Sequence, residues 1–242
     1  MEYFIVNSFD GFGAQYQRII QGYIYCRMNG TPFAYKPFDK VEHNDGLPDF
    51  NNRLEHLVNL KDKITTVSGG MNIKELAYDP FIRNFFEPNI DACCNSEHMA
   101  FIKRCFWENK PRDFFANGKK NIAVHIRRAN IHDRGQAGAR ASTPNQYYLQ
   151  IMDHIRNKYG AEDLQFHVYS QGDARDYADF LRPDVKLYMN TDAIEAFIGM
   201  VAADVLVISP SSFSYTAALL SDGEVYYKPF WHNPRSGWIL CS

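Results

Sequence analysis

Apolar positions along the chain come in two regimes. From Asn121 onward they form short runs that alternate strictly with amphipathic stretches, whereas residues 36 to 118 are broken by polar and turn residues. At the start, Tyr3, Phe4, Ile5 and Val6 predict a strand over Glu2–Ser8. Phe9 to Gln15 reads as a turn, and Tyr16, Ile19, Ile20, Tyr23 and Ile24 lie on one face of a helix over Ala14–Met28. Asn29-Gly30 closes that helix, and Thr31–Tyr35 reads as a second strand. Helices are expected near Asn51–Leu57, Asn72–Ala77, Pro80–Phe86 and Ser96–Trp107, the last with Ser96 as its N-cap.

The later pattern is a succession of strand and helix. Strands are expected at Asn121–Arg127, Leu164–Ser170, Val185–Met189, Asp204–Ser209 and Glu224–Tyr227. Helices are expected at Pro144–Tyr159, Ala174–Leu181, Asp192–Ala203 and Phe213–Ser221. Strand alternating with helix implies a parallel α/β sheet. Pro111–Lys120 is polar and turn-rich, so the division is expected there: one domain over 1–118, a second over 119–228, and a tail over 229–242 that packs back on the body.

Composition narrows the function. A formal charge of −2 with 22% charged residues argues against nucleic acid as a partner. No apolar run reaches the roughly 18 residues that a membrane span needs. The N-terminus opens on a strand pattern with no basic or apolar leader segment, which predicts a cytoplasmic location. Five cysteines (Cys26, Cys93, Cys94, Cys105, Cys241) with no CxxC spacing argue against a disulfide framework and a zinc site.

The candidate chemistry lies at strand ends, because parallel strands share one carboxyl rim and open α/β sheets bind ligands there. The first strand of the second half, NIAVHIRRAN, delivers His125, Arg127 and Arg128. Arginine grips phosphate oxygens in pairs and keeps its charge. The next strand delivers Ser170, Gln171, Gly172 and Asp173. The strand at Asp204–Ser209 delivers Ser211, Ser212 and Phe213 at the start of a helix, where hydroxyls, backbone N–H groups and the helix dipole suit an anion. Each feature has a plainer reading: an ion pair for Arg-Arg and helix capping for Ser-Ser. Together they favour a pyrophosphate. The Gly11-Phe12-Gly13 turn lacks the third glycine of a dinucleotide fingerprint.

In order, G-F-G-A-Q, H-I-R-R and S-S-F-S resemble the GDP-fucose-using fucosyltransferases, the related α1,2-, α1,6- and protein O-fucosyltransferases. The resemblance covers nearly the whole chain in order and spacing. It implies an α/β fold of two facing Rossmann-like domains, the GT-B glycosyltransferase architecture. The N-terminal domain would be acceptor-side and the C-terminal domain would bind the GDP-sugar. It also implies metal-independent, inverting transfer of L-fucose to a glycan hydroxyl with no cofactor. His125 would contact the nucleotide, Arg127 the β-phosphate, and Arg128 would brace the loop or share the phosphates. Ser211, Ser212 and Phe213 would supply donors to the pyrophosphate. Glu195, with Asp192 as alternative, would read guanine. Gly11, Gly13 and Gln15 would face the donor sugar. The family's Asp after Arg-Arg is Asn130 here.

Absence of metal chemistry also follows from the bare sequence, since no D-x-D triplet occurs. Departure of the nucleotide would then rely on fixed cations and N–H dipoles, Arg127 first. His132 and Asp133 are the candidates for a base near the acceptor hydroxyl. Two other readings stay open: a transferase for another nucleotide sugar, and a non-catalytic nucleotide- or glycan-binding protein.

Overall fold

The computed structural model describes residues 1–43, 48–77, 79, 83–129, 143–160 and 162–241. Its contacts divide the chain into two compact units: Met1–Pro111 with His232–Ser236, and Arg112–Trp231 with Gly237–Ser242. The tail is shared between them. His232 joins the first unit through Glu87 (Nδ1 to Oε1, 2.7 Å), while Ile239 and Leu240 pair with Tyr226 and Tyr227 in the second.

The first unit contains β1 (Glu2–Ile5), β2 (Asp10–Gly11), α1 (Phe12–Met28), β3 (Val41–Glu42), α2 (Phe50–Val58), β4 (Asn72–Glu75) and α3 (Glu97–Trp107). Helix α1 forms because Tyr16, Ile20 and Ile24, four residues apart, are all fully buried. It stops where Asn29 N–H bonds the Tyr25 carbonyl and Gly30 takes a positive φ of 65°. Ser96 caps α3 by accepting from Met99 N–H at 3.2 Å.

Strand β1 is parallel to β4 on one side and meets Phe33 through a parallel bridge on the other. Tyr35 in turn bridges Thr66. The expected strand Thr31–Tyr35 is therefore present only as two bridging residues. The expected helix Asn72–Ala77 is instead strand β4: the turn at Gly69-Gly70 precedes it, and the β1 edge supplies its ladder, Glu2 opposite Asn72 through Ile5 opposite Glu75.

The second unit contains β5 (Lys120–Ile126), α4 (Asn145–Tyr159), β6 (Leu164–Ser170), a 3-10 helix (Ala174–Phe180), β7 (Val185–Met189), α5 (Ala193–Ala202), β8 (Val205–Val207), α6 (Ser212–Leu220), β9 (Glu224–Tyr227) and β10 (Ile239–Leu240). The six strands form one sheet in the order β10-β9-β8-β5-β6-β7, every pair parallel. Ile122, Val124 and Ile126 of β5, Phe166 and Val168 of β6 and Val205 and Val207 of β8 are buried in one core with Tyr148, Met152 and Ile155 of α4. On the opposite face Ala123, Tyr169 and Leu206 are buried as well, and burial on both faces is why the central strands read as apolar runs.

This order has a direct consequence. The chain winds from β5 through β6 to β7 in one direction, then returns and winds from β8 through β9 to β10 in the other. The reversal lies between β5 and β8, and the crevice outside the carboxyl ends at such a reversal is where doubly wound sheets bind nucleotides. Arg127 and Arg128 leave β5 there, and Ser209 to Ser212 leave β8 there.

Candidate functional site

The exit of β5 is fastened from both sides. Beyond the last β5–β8 ladder pair, Val124 with Val207, the Ser209 hydroxyl reaches β5. It donates to the His125 carbonyl at 2.6 Å and accepts from Arg127 N–H at 2.9 Å. Tyr148 of α4 lies 2.6 Å from the same oxygen, and both Ser209 and Tyr148 are fully buried. On the β6 side, Ser170 Oγ donates to the Ile126 carbonyl at 2.7 Å and sits 2.5 Å from Tyr177 Oη. Ser170 is thus engaged within the fold.

The two arginines take different roles. Arg128 bonds the Thr143 carbonyl at 2.9 Å and the Asn145 side chain, and its guanidinium lies over the Tyr177 ring at 5.5 Å. It ties the β5 exit to the start of α4, a bracing geometry. Arg127 donates from Nη1 to the Arg128 carbonyl, and its charge acts on the His125 ring two residues before it.

His125 is the unusual group. It is 8% exposed and its Nδ1 is buried with no partner among the described residues. A buried polar atom left unpaired calls for an explanation, here as at the buried Gln21 amide of α1. Burial, and then the positive charge of Arg127, pushes its pKa down to about 3, so the ring is neutral. It packs at 5.6 Å against Phe213 in the first turn of α6. There Ser211 is the N-cap, accepting from Phe213 N–H at 3.3 Å while keeping its own proton to donate. The N–H groups of Ser212 and Ser214, in the same first turn, have no intrahelical acceptor.

Beside His125 in strict register lie Tyr169 of β6 and then Tyr188 of β7, a row across three strands on one face. The two tyrosine rings stack at 4.9 Å. Gly199 of α5 permits this, because a Cβ there would lie 2.1 Å from Tyr169 Oη. Burial raises both phenol pKa values, and Glu195 at the start of α5 adds to the rise. Glu195 is exposed. Asp192, the other carboxylate, is committed as the α5 cap, accepting from Ile194 N–H at 2.8 Å. This row escaped the sequence reading, since adjacency of residues 125, 169 and 188 exists only in the sheet register.

Asp173 and Gln15 are engaged by contacts within their own units. Asp173 caps the 3-10 helix, accepting from Arg175 N–H at 2.9 Å, and Arg175 holds its carboxyl below the usual range. Gly11, Gly13 and Gln15 belong to the first unit. Gly11 precedes α1 as its N-cap and Gly13 is buried within that helix. The Gln15 amide donates to the Asp10 and Lys40 carbonyls at 2.6 and 2.7 Å, joining β2 to the chain before β3. His132 and Asp133, like Asn130, fall outside the described residues. No helix among the described residues is long and apolar enough to cross a membrane.

A second histidine behaves like His125. His167 is buried on β6, its Nε2 2.9 Å from Asn121 Oδ1 and its Nδ1 3.3 Å from Tyr188 Oη. Burial, with Lys186 nearby, lowers its pKa to about 4. An unfolded histidine titrates near 6.5. Above that pH both states are neutral. Below it the unfolded chain gains protons that the folded chain refuses, so stability falls as pH drops from 6.5 toward 4. Each histidine contributes a slope of at most about 1.4 kcal/mol per pH unit. Urea midpoints are expected to fall between pH 7 and pH 5, and to fall less in His167→Gln. Equal slopes for the two proteins would refute the assignment.

No family profile and no curated protein sequence matches the chain. Among solved structures it is similar to POFUT1 in complex with GDP, at 13% identity over 91% of this chain and 95% of that chain, with a TM-score of 0.50. It is also similar to NodZ alpha-1,6-fucosyltransferase soaked with GDP-fucose (14%, 91% and 93%, TM-score 0.43). A third is Arabidopsis thaliana FUT1 in complex with GDP (12%, 98% and 72%, TM-score 0.47). At this identity the likeness to POFUT1 is one of fold. The α/β, GT-B-type class expected from the sequence is the fold of the POFUT1 structure, and the parallel sheet lies in the C-terminal part as expected.

Proposed function

We propose that the chain is a glycosyltransferase that moves L-fucose from GDP-fucose to a hydroxyl of a glycan acceptor, inverting and without a metal. The observation that carries the reading is the convergence, at the β5–β8 reversal, of Arg127, the unpartnered His125 Nδ1 and the open first turn of α6. A diphosphate matches that set: oxygen acceptors for a guanidinium and for helix N–H groups. The motif resemblance and the shared fold with a GDP-bound protein support guanine and fucose within the nucleotide sugars. Glu195, exposed beside the Tyr169–Tyr188 stack, is the group proposed to accept guanine N1–H and N2–H.

In the proposed reaction the acceptor oxygen attacks the sugar's anomeric carbon from the side opposite GDP. The glycosidic C–O bond breaks with its electron pair on the β-phosphate oxygen, and a base takes the hydroxyl proton. Arg127 and the α6 N–H groups would meet the charge growing on that phosphate. His132 and Asp133 remain the proposed bases. Asn130, in place of the family's acid, favours a second reading, a nucleotide-binding protein without turnover. The test is donor consumption: GDP-fucose incubated with the chain and a panel of oligosaccharides. Release of GDP together with a fucosylated product with inverted anomeric configuration is expected. GDP binding with no donor consumption across the panel would favour the second reading.

A further inference from the structure

The Ser209 hydroxyl has one proton to give and room to accept two. Its three neighbours fill those places in a single way. The His125 carbonyl at 2.6 Å can only accept, so it takes the Ser209 proton. The Arg127 amide at 2.9 Å can only donate, so Ser209 accepts from it. Tyr148 Oη at 2.6 Å must therefore donate its own proton to Ser209. The hydroxyl is saturated and fully buried, so it has nothing left to offer a ligand. What it does instead is fix the peptide groups on either side of Ile126, at the point where the β5–β8 ladder has already ended.

From this we infer that Ser209 and Tyr148 are positioning residues for Arg127. They hold its backbone so that the guanidinium meets the donor diphosphate in one geometry, and they do so without touching it. The inference rests on the reading of this rim as the donor site. Tyr148 is the informative member. Its ring is packed in the α4 core, whereas its hydroxyl bonds both Ser209 and the Thr143 side chain. Tyr148→Phe keeps the ring and removes both bonds, and Ser209→Ala, which leaves the Thr143 bond in place, shows which of them carries the effect. Ser209 is then free to rotate, and the Arg127 amide loses a fixed acceptor.

The test is a double-mutant cycle read as GDP dissociation constants by calorimetry: wild type, Tyr148→Phe, Arg127→Ala and the double variant. In the wild-type background Tyr148→Phe should weaken GDP binding about fivefold to tenfold. In the Arg127→Ala background it should weaken binding less than about twofold, because the residue being positioned is gone. A hydroxyl with a merely structural role would lower the melting temperature and weaken GDP equally in both backgrounds, and that result overturns the inference. If Tyr148→Phe does not fold, Ser209→Ala carries the same cycle with the same expected coupling. Absence of GDP binding by the wild-type chain overturns the donor-site reading and the positioning role with it. Binding with equal penalties overturns the positioning role alone.

Discussion

Arg127→Ala is expected to stay folded and to transfer fucose about 10²–10³-fold more slowly, the loss typical of one electrostatic donor removed from a developing oxyanion. The fold survives because Arg127 leaves the sheet at its carboxyl end, and what Ser209 holds is its backbone, which alanine retains. In the proposed reaction the rate falls because negative charge on the β-phosphate grows as the bond to fucose breaks, so the lost interaction is stronger in the transition state than in bound GDP-fucose. Turnover should therefore suffer more than affinity. Arg127→Lys should not rescue it, since one ammonium cannot reproduce a two-pronged contact with phosphate oxygens. A variant keeping more than roughly a tenth of wild-type turnover, a deficit under about 1.4 kcal/mol, would remove Arg127 from the chemistry. Circular dichroism on the same sample shows whether the arginine is instead needed for the fold.

The second unit was legible in the sequence because strand alternates with helix throughout and its central strands β5, β6 and β8 are buried on both faces. Such strands appear as unbroken apolar runs, and β6, β7 and β9 match the expected ranges while β5 is shifted by one residue at each end. The first unit was less legible because its strands are short and rely on neighbours. Asn72–Glu75 carries no pattern of its own and is extended because β1 offers an open edge. Residues Phe33 and Tyr35 form single bridges in place of a continuous strand.

The site divides in the same way. Arg127, Arg128 and Ser211 could be named because their chemistry follows from residue type at a strand end. Arg128 bonds the Thr143 carbonyl and the Asn145 side chain, a contact that spacing alone does not show. The pairing of Ser209 with Tyr148, and the placing of Tyr169 and Tyr188 beside His125, could not be read, since they depend on which strands are neighbours and in what register. Gln15 shows the reverse case: a residue singled out by motif whose amide is occupied by two backbone carbonyls.

The most direct measurement of the central claim is nucleotide binding by the intact chain, followed by thermal unfolding with GDP, UDP, ADP and CDP, each with and without a chelator. A diphosphate held by Arg127 and the α6 N-terminus, with guanine beside Glu195, predicts a shift with GDP well above that with the other three. With ligand on the order of 100-fold above its dissociation constant, the stabilisation should be about 2.7 kcal/mol. Chelation should leave the shift unchanged, because the positive charge comes from the protein. A shift with UDP but not with GDP would contradict the guanine assignment, a shift lost on chelation would contradict metal-free binding, and no shift with any of the four would contradict the nucleotide site itself.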